Sequence, residues 1–416
     1  MKDNIEKYLS EYAEQEVNQV KGLNENYDHV IVIPICYESY ESINTIFSKI
    51  DKSISVLVIL VVNSPKNLKH KKYFDANNRF INRLEVESIS CNTISTNCKL
   101  LRYIDKFDIY LVNKNSVGQQ IDEKQGVGLA RKIGCDIALK LYQKGNIKLP
   151  WIYSTDADVM LPRNYFSQVH QLKNDHSAIV LDFEHVCVNE SMKKMQYLYD
   201  LKLRYYHAGI VYAGSQYDYI PLGSTLIANM YYYAQVRGFP KKNAGEDFYL
   251  LNKLAKIKPI LYLKNVPKLK ITSRFSNRVP FGTGPALTKI KELDNINDYL
   301  FYNPQCFELL RKWIEFLNNM WRDDQLIFDQ PESKELTSLF HWFNCHVVFD
   351  KSKKQITSKD RWQQFVYQWF DAFKTLKAVH YFDRNLTRVN NKELLKSRVF
   401  AKVTNHSLQE FIERND

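Results

Sequence analysis

The sequence lacks several features that would place it in a class directly. Its longest apolar run, residues 56–62, is far shorter than the roughly 20 residues that a membrane-spanning helix needs. The N-terminal stretch MKDNIEKYLSEYAEQEV has no apolar segment of the kind found in a signal peptide. The seven cysteines form no C-x-x-C pair, which argues against the common zinc sites and a disulfide framework. These absences predict a cytoplasmic protein with reduced thiols.

Charge is present in excess of one sign. The chain of 416 residues has 58 Lys and Arg against 46 Asp and Glu, which gives a net charge of +12. A basic surplus favours anionic partners, namely nucleotides, phosphorylated substrates, nucleic acid or an anionic membrane face. Solvated surface lysines account for the same surplus equally well, so the charge alone does not choose among these partners.

Strands and helices alternate in the first part of the chain. Buried strands are predicted at residues 29–34, 55–62, 107–112 and 151–155, and helices at 39–50 and 128–142. This order predicts an α/β domain with a mostly parallel sheet. Residues 1–27 are predicted to form a polar helix ending near Gly22 and Asn24, and residues 66–97 to be loop and irregular helix. The tryptophan-rich residues 291–416 are predicted to form a helical C-terminal region with an aromatic core.

Two carboxylates follow the fourth predicted strand, in the sequence Asp156-Ala157-Asp158. The carboxyl edge of a parallel sheet is where open α/β sheets bind ligands. Mg²⁺ and Mn²⁺ prefer carboxylate oxygens and can share them with a substrate diphosphate. The alternative is a plain acidic loop, because D-x-D is a frequent pattern.

A second acidic pair, Glu246-Asp247, precedes an apolar helix about 90 residues later. Carboxylates at a helix start can simply satisfy its free N–H groups. In the functional interpretation one of them is a general base, with a pKa set by burial and by its neighbour. The pair alone does not decide between these interpretations.

The motifs of residues 28–290 have an order that is informative as a whole. They are Pro34-Ile-Cys-Tyr37-Glu38, Asn63-Ser64, Gly128-Leu-Ala-Arg131-Lys-Ile-Gly134, Asp156-Ala-Asp158, Pro221-Leu-Gly-Ser-Thr225, Arg237-Gly-Phe-Pro240 and Gly245-Glu-Asp-Phe248. This succession resembles the family 2 glycosyltransferases of the GT-A fold. Their strand ending V-P-x-Y-N-E, their A-R-N-x-G helix, their D-x-D and their G-G-F before an E-D pair are the matching features.

The resemblance implies a role for each matching residue. Nucleotide-sugar contacts are implied for Pro34, Tyr37, Glu38, Asn63, Arg131, Asp156 and Ala157. Asp156 and Asp158 would bind Mn²⁺ or Mg²⁺. Asp247 would deprotonate the acceptor hydroxyl, with Glu246 beside it holding the acceptor or the backbone. The turns Gly223-Ser224 and Gly238-Phe239 would border the sugar and acceptor pocket.

The activity implied is a metal-dependent hexosyltransferase that uses a nucleotide-diphosphate-sugar, with UDP and GDP as the natural candidates. A divalent cation would act as a Lewis acid towards the departing diphosphate. One carboxylate base suffices for displacement with inversion, although some D-x-D enzymes of this fold retain configuration. The acceptor is not identified by the sequence.

A further segment, residues 273–284, contains Arg274 and Arg278 among small residues and glycines. These arginines are predicted to bind the donor diphosphate through charge-assisted hydrogen bonds. The alternative is a surface loop with solvated arginines.

The sequence also departs from the family pattern. Lys132 replaces the asparagine of A-R-N-x-G, Asn63 replaces a carboxylate, and Cys36 leads into Tyr37-Glu38 where the family has Y-N-E. The identity of the nucleotide is therefore not decided by the sequence. The Q-x-x-R-W motif of processive synthases is absent, which disfavours a membrane-embedded polymerase.

Other protein classes fit the sequence less well. The residues after the first strand, ICYESYES, contain no glycine, which argues against a sugar nucleotidylyltransferase or a dinucleotide dehydrogenase. A non-catalytic basic module that binds nucleotide or nucleic acid is the remaining alternative, and the lack of any nucleic-acid motif disfavours nucleic acid. The C-terminal helices could build part of an acceptor site, an oligomer surface or a contact with an anionic membrane face.

Overall fold

The structure is a computed structural model. It describes residues 2–51, 53–67, 71–103, 107–169, 175–187, 189–264, 266–276, 278–322, 325–327, 331, 333–353 and 355–415. The chain forms two compact units. The α/β unit comprises residues 1–188 and 221–285, and the helical unit comprises residues 189–220 and 286–416.

The strands lie mostly in the α/β unit. Those of its first half are β1 (His29–Ile35), β2 (Val56–Asn63), β3 (Ser90–Ser95), β4 (Cys98–Tyr103), β5 (Phe107–Lys114), β6 (Trp151–Ser154), β7 (Val159–Met160), β8 (Ala178–Leu181) and β9 (Phe183–Val186). The others are β10 (Leu226–Asn229), β11 (Ile260–Leu263), β12 (Leu269–Thr272), β13 (Leu300–Phe301), β14 (Trp321–Arg322), β15 (Gln325–Leu326) and β16 (Val389–Asn390).

Helices occur in both units. The first eight are α1 (Lys2–Glu11), α2 (Tyr40–Phe47), α3 (Lys71–Val86), α4 (Gly126–Gln143), α5 (Glu190–Tyr212), α6 (Met230–Gln235), α7 (Glu246–Ala255) and α8 (Thr283–Lys291). The last eight are α9 (Gln305–Asn318), α10 (Lys334–Trp342), α11 (Cys345–Lys353), α12 (Lys359–Trp369), α13 (Ala372–Asp383), α14 (Asn391–Lys396), α15 (Arg398–Val403) and α16 (His406–Glu413).

A nine-stranded sheet forms the centre of the α/β unit, in the order β11-β8-β10-β6-β1-β2-β5-β4-β3. The strands β6, β1, β2 and β5 run parallel, and only β10 and β4 run against the others. Every residue of β1 and β2 is buried, as expected for valine- and isoleucine-rich strands covered on both faces. The predicted α/β fold with a mostly parallel sheet is confirmed.

A second, smaller sheet has the order β7-β12-β9. β7 begins directly after the Asp156-Ala-Asp158 segment, and β12 pairs with it in antiparallel fashion. The chain leaves β12 at Thr272, where the Thr272 N–H donates to the Asp158 carbonyl. This pairing brings the arginine-containing segment after β12 next to the acidic segment before β7.

The helical unit has its own core. Trp313 of α9 and Trp362 of α12 are fully buried, and the Trp362 indole N–H donates to the Leu317 carbonyl at 2.8 Å. The predicted helical C-terminal region is confirmed. Helix α5, which the sequence analysis placed within residues 28–290, packs against α9, α15 and α16 of this unit. In the part of the chain that the structure describes, no helix is both long and apolar enough to cross a membrane.

Two predictions of local structure were wrong. The helix predicted for residues 1–27 ends at Glu11, because Asp136 of α4 accepts the Glu14 N–H and draws the chain into the short helical turn Gln15–Gln19. Residues 66–97, predicted to be irregular, contain α3 and β3. Helix α3 buries only one narrow stripe, so its polar residues outnumber the apolar ones that hold it in place. Residues 68–70 of that prediction lie outside the described residues.

Candidate active site

The carboxyl ends of three parallel strands carry polar residues that the sequence singled out. Glu38 follows β1, Asn63 ends β2, and Asp156 follows β6. Because β1 pairs in parallel with both β2 and β6, these three strand ends lie at one edge of the sheet. This edge is the candidate active site.

Arg131 connects the two acidic motifs. Its side chain is 3% exposed and comes from α4, which packs on β1 and β2. Its Nη2 donates to Asp156 Oδ1 at 2.6 Å, its Nε to Glu246 Oε1 at 3.0 Å, and its Nη1 to Ser154 Oγ at 2.7 Å. Asp156 and Glu246, 90 residues apart in sequence, are therefore held by one guanidinium.

Gly223 makes room for that guanidinium. A Cβ atom on Gly223 would lie 2.5 Å from Arg131 Nη2 and 2.9 Å from Cζ. Any side chain at this position would have to displace the buried arginine. The P-L-G-S-T segment thus contributes to the site through a backbone that lies against Arg131.

The acidic pair begins helix α7. Gly245, with φ of 70°, occupies the left-handed region just before it. Burial raises the pKa of Glu246 to about 7, with the neighbouring Asp247 raising it further and Arg131 lowering it. Burial also raises the pKa of Asp247, while hydrogen bonds from the backbone N–H groups of Phe248 and Gly223 favour its charged form. One residue of this pair can therefore hold a proton at neutral pH, as a proton-transfer site requires.

The arginines of the segment after β12 also reach the strand ends. Arg274 donates to both carboxylate oxygens of Glu38, at 2.7 and 2.5 Å, and to Asp158 Oδ2 at 2.9 Å. Arg278 Nη1 donates to Glu38 Oε1 at 2.5 Å and to the Cys36 carbonyl at 2.7 Å. These side chains form an ion-paired cluster, so the interpretation of them as solvated surface arginines was wrong. Asn277, between them, lies outside the described residues.

Burial raises the pKa of Asp158 to about 6, against the opposing effect of Arg274. The carboxylates of Asp156 and Glu38 raise it further. In contrast, the guanidinium groups of Arg274 and Arg278 offset the burial of Glu38, and its pKa lies below the usual value. Glu38 is therefore held in its charged form, whereas the charged form of Asp158 is disfavoured and a bound cation would stabilise it.

Two carboxylates of the type that binds a divalent cation lie at this edge of the sheet. Asp156 and Asp158 supply carboxylates, the ligand type that Mg²⁺ and Mn²⁺ prefer. Among the described residues there is no group of three or more His, Cys, Asp or Glu side chains that could hold a metal. The residues fit a cation that takes its remaining ligands from a diphosphate and water, which is how Mg²⁺ is commonly bound.

Four other predicted residues have distinct positions. Pro34, near the end of β1, and Ala157, which follows β6, are both buried. Asn63 is buried, and its Nδ2 donates to the carbonyls of Ile35 at 2.9 Å and Val61 at 3.3 Å, so this amide ties β1 to β2. Tyr37, with φ of 60°, is 46% exposed.

Sequence reasoning missed Asn77 of α3. Its Oδ1 accepts the Tyr37 N–H at 2.9 Å, and its Nδ2 donates to the Asn63 carbonyl at 2.7 Å. It therefore supports the backbone of two predicted site residues. The available signal is its place on the buried stripe of α3 with Phe80 and Leu84, where an apolar residue would be expected.

A cleft opens beside this edge of the sheet. It has a volume of about 430 Å³ and is lined by Tyr37, Glu38 and the first turn of α2 on one side, and by Arg79 and Arg83 of α3 on the other. Its size falls within the range of small-molecule sites. Aromatic and cationic groups in it suit a ligand with a flat ring and negative charge.

Comparisons with known proteins give structural likenesses only. No family model matches the chain, and no curated protein matches it. Residues 1–349 of TarS from S. aureus, solved in complex with UDP-GlcNAc, align over 94% of this chain and 92% of that chain with 12% identity and a TM-score of 0.34. The mannosyltransferase PcManGT from Pyrobaculum calidifontis, solved with GDP-Man and Mn²⁺, aligns over 87% and 91% with 10% identity and a TM-score of 0.35. At these identities and TM-scores, the functional argument rests on the site itself.

Proposed function

We propose that the chain is a GT-A type glycosyltransferase that moves a sugar from a nucleotide-diphosphate-sugar to an acceptor hydroxyl. The observation that carries this proposal is Arg131, which joins Asp156 of the D-x-D motif to Glu246 of the acidic pair. A donor-binding carboxylate and the acidic pair that would supply the base are then held by one buried cation. This arrangement suits a reaction that separates charge between a leaving group and a nucleophile.

The donor would bind at the carboxyl ends of β1, β2 and β6. Its nucleoside fits the cleft beside Tyr37, and its diphosphate would lie near Arg274 and Arg278. These arginines are now paired with Glu38 and Asp158. A diphosphate would therefore compete with those carboxylates for the same guanidinium groups, which bind phosphate in a bidentate manner.

Mg²⁺ or Mn²⁺ held by Asp156 and Asp158 would supply charge neutralisation for the departing diphosphate. The arginines would add charge-assisted hydrogen bonds to the same oxygens. Both effects grow as the sugar–phosphate bond breaks, so they favour the transition state over the bound donor.

The acceptor would be activated by Asp247. Its carboxylate takes the proton of the acceptor hydroxyl while that oxygen forms a bond to the anomeric carbon, and the diphosphate leaves with the bonding electrons. Attack on the face opposite the leaving group gives inversion. The backbone N–H groups of Phe248 and Gly223 hold the carboxylate in place.

The first test is a thermal-shift panel of UDP-, GDP-, ADP-, CMP- and dTDP-sugars, each with Mn²⁺ and with EDTA. We expect one nucleotide to raise the melting temperature only in the presence of the metal. A ligand at 100 times its dissociation constant adds about 2.7 kcal/mol of stability. If none of them raises it, a transferase loses its main support and the non-catalytic binding module becomes the better description.

Two variants separate the proposed roles. Asp158→Asn should remove the metal-dependent part of the shift. Asp247→Asn should keep the shift and lower sugar transfer about 10²-fold or more, as the loss of a general base does. Glu292→Gln, an exposed carboxylate outside the site, is the control for the loss of one negative charge. Transfer that survives in Asp247→Asn would assign the base to another carboxylate.

A further inference from the structure

A second pocket lies wholly within the helical unit, where the ends of α5 and α9 meet α12. It has a volume of about 270 Å³. We name it the three-helix pocket, and its defining residues are Gln216, Tyr217, Asn318, Gln363, Tyr367 and Phe370. Nothing in the proposed transfer reaction uses these residues.

One wall of the three-helix pocket is aromatic. The rings of Tyr217 and Tyr367 are stacked, with centroids 5.1 Å apart and planes at 21°. The Tyr217 hydroxyl donates to the Tyr367 carbonyl at 2.9 Å, which fixes Tyr217 against α12. Tyr217 is 3% exposed, and Tyr367 is partly exposed. The wall is therefore held in place before any ligand binds.

The rim of the pocket is formed by amides from three different elements. Gln216 follows α5, Asn318 ends α9, and Gln363 belongs to α12, and all three are exposed. None of these side chains makes a hydrogen bond within the part of the chain that the structure describes. Each amide offers both a donor and an acceptor. The rim can therefore exchange hydrogen bonds in both directions with one ligand.

The three-helix pocket is neutral in a basic protein. None of the described lining residues is charged, although the chain has a net charge of +12. In addition, α5 ends at Tyr212 and α9 at Asn318, and a helix C-terminus carries a partial negative charge. These ends disfavour an anion.

From these features we infer that the three-helix pocket binds a neutral carbohydrate. Polarised C–H groups on one face of a sugar ring pack on the negative face of an aromatic ring such as Tyr367. Its hydroxyls both donate and accept, which matches the amides of the rim. A cationic ligand would suit the rings as well, but no carboxylate among the described lining residues would pair with it.

The test measures binding of maltotriose, cellotriose and chitotriose to the whole chain by saturation-transfer NMR and calorimetry. We expect at least one of the three to bind at millimolar concentration. Tyr367→Ala should abolish that binding, and Gln363→Ala and Asn318→Ala should each weaken it several-fold, as expected for one lost hydrogen bond. Gln364→Ala and Asn319→Ala are matched controls, because these neighbours are also exposed and do not line the pocket.

Three outcomes would overturn the inference. The first is that none of the trisaccharides binds, and the second is that choline binds in their place. The third is that the bound sugar is unaffected by both Gln363→Ala and Asn318→Ala. No nucleotide or metal is present in this assay, so its result is independent of the transferase proposal.

Discussion

Arg131 illustrates how a buried charge can hold a site together. Its guanidinium is almost completely buried, and so is the carboxylate of Glu246 that it contacts. Such a pair adds little stability over an apolar replacement of both partners, but removal of one partner leaves the other charge buried. The residue is therefore expected to matter for stability as well as for binding.

Arg131→Ala should lower the stability of the α/β unit by about 3–5 kcal/mol, since Glu246 and Asp156 lose their common partner. Hydrogen exchange of the β1 and β2 amides measures this effect in that unit alone. Arg83→Ala, which removes an exposed ion pair to Glu87 in the same unit, is the control and should cost less than about 1 kcal/mol. Equal losses in both variants would contradict this view of Arg131.

Lys253 makes stability depend on pH. Burial lowers its pKa to about 8, while its Nζ donates to the carbonyls of Val236 and Gly238. Between pH 8 and the unfolded value of 10.5, the unfolded chain keeps a proton that the folded chain has lost. Stability then rises with pH through this window, by on the order of 3 kcal/mol in total.

The variant Lys253→Met has no titratable group at this position, so its stability should not show this rise with pH. The stability of the wild type relative to that of the variant should therefore increase from pH 7 to pH 10. Urea denaturation at several pH values measures it, and the tyrosines and cysteines affect both proteins equally. A difference that stays constant with pH would show that Lys253 keeps its ordinary pKa.

The sequence indicated where the candidate residues lie along the chain better than it indicated their contacts. Residues such as Glu38, Asp158 and Arg274 stand at strand ends or in short segments, where motif and position are both visible. Their pairing depends on the small sheet β7-β12-β9, whose strands have only two to four residues. Strands of two to four residues are too short to show the alternation of apolar and polar residues by which a strand is predicted from sequence.

At the scale of elements, α1 depends on one buried network for its position. The Tyr8 hydroxyl donates to Asp136 Oδ1 at 2.5 Å and accepts from Lys132 Nζ at 2.6 Å. Tyr233 of α6 donates to the same Asp136 oxygen at 3.0 Å. Lys132, which stands where the resembling family has asparagine, therefore has a structural partner in this chain.

Tyr8→Phe should destabilise the α/β unit by about 1–3 kcal/mol, because buried partners of its hydroxyl are left unsatisfied. Tyr12→Phe, one residue past the end of that helix, is the control, since no hydrogen bond of its hydroxyl is found among the described residues, and should change stability by less than about 0.5 kcal/mol. Hydrogen exchange of α4 reports both values. A loss in Tyr12→Phe as large as in Tyr8→Phe would argue against the network.

Fully buried strands were predicted from the sequence, whereas partly exposed elements were missed. Strands β1 and β2 were evident because every residue in them is buried and all but His29 and Asn63 are apolar. Helix α3 was missed because its buried stripe includes Asn77, and β3 was missed because it is a largely exposed edge strand. The end of α1 depends on Asp136, more than 100 residues away, which no local pattern can indicate.

At the scale of the whole molecule, the chain passes between its two units three times, after residues 188, 220 and 285. The helical unit is therefore not a simple C-terminal addition. Helix α5 of this unit is encoded between β9 of the smaller sheet and β10 of the central sheet. Removal of the C-terminal region alone would leave α5 without α9, α15 and α16.

A chain that ends after residue 290 should therefore aggregate, because Leu198, Leu201 and Tyr205 of α5 would lose their buried environment. A chain that ends after residue 285 and replaces residues 189–220 with a Gly/Ser linker should stay in solution. Sedimentation and circular dichroism distinguish the two. Aggregation of both variants would mean that the α/β unit needs the helical unit to fold.

The same insertion has a consequence during synthesis. Helix α9 begins 93 residues after α5 ends. At a translation rate of about 5–20 residues per second, α5 waits roughly 5–20 seconds for α9, the first of α9, α15 and α16 to be synthesised. During that time its apolar side chains lack the partners that bury them in the folded protein and are prone to aggregate. Codon choice between residues 213 and 305 would therefore alter the yield of active protein without changing a single amino acid.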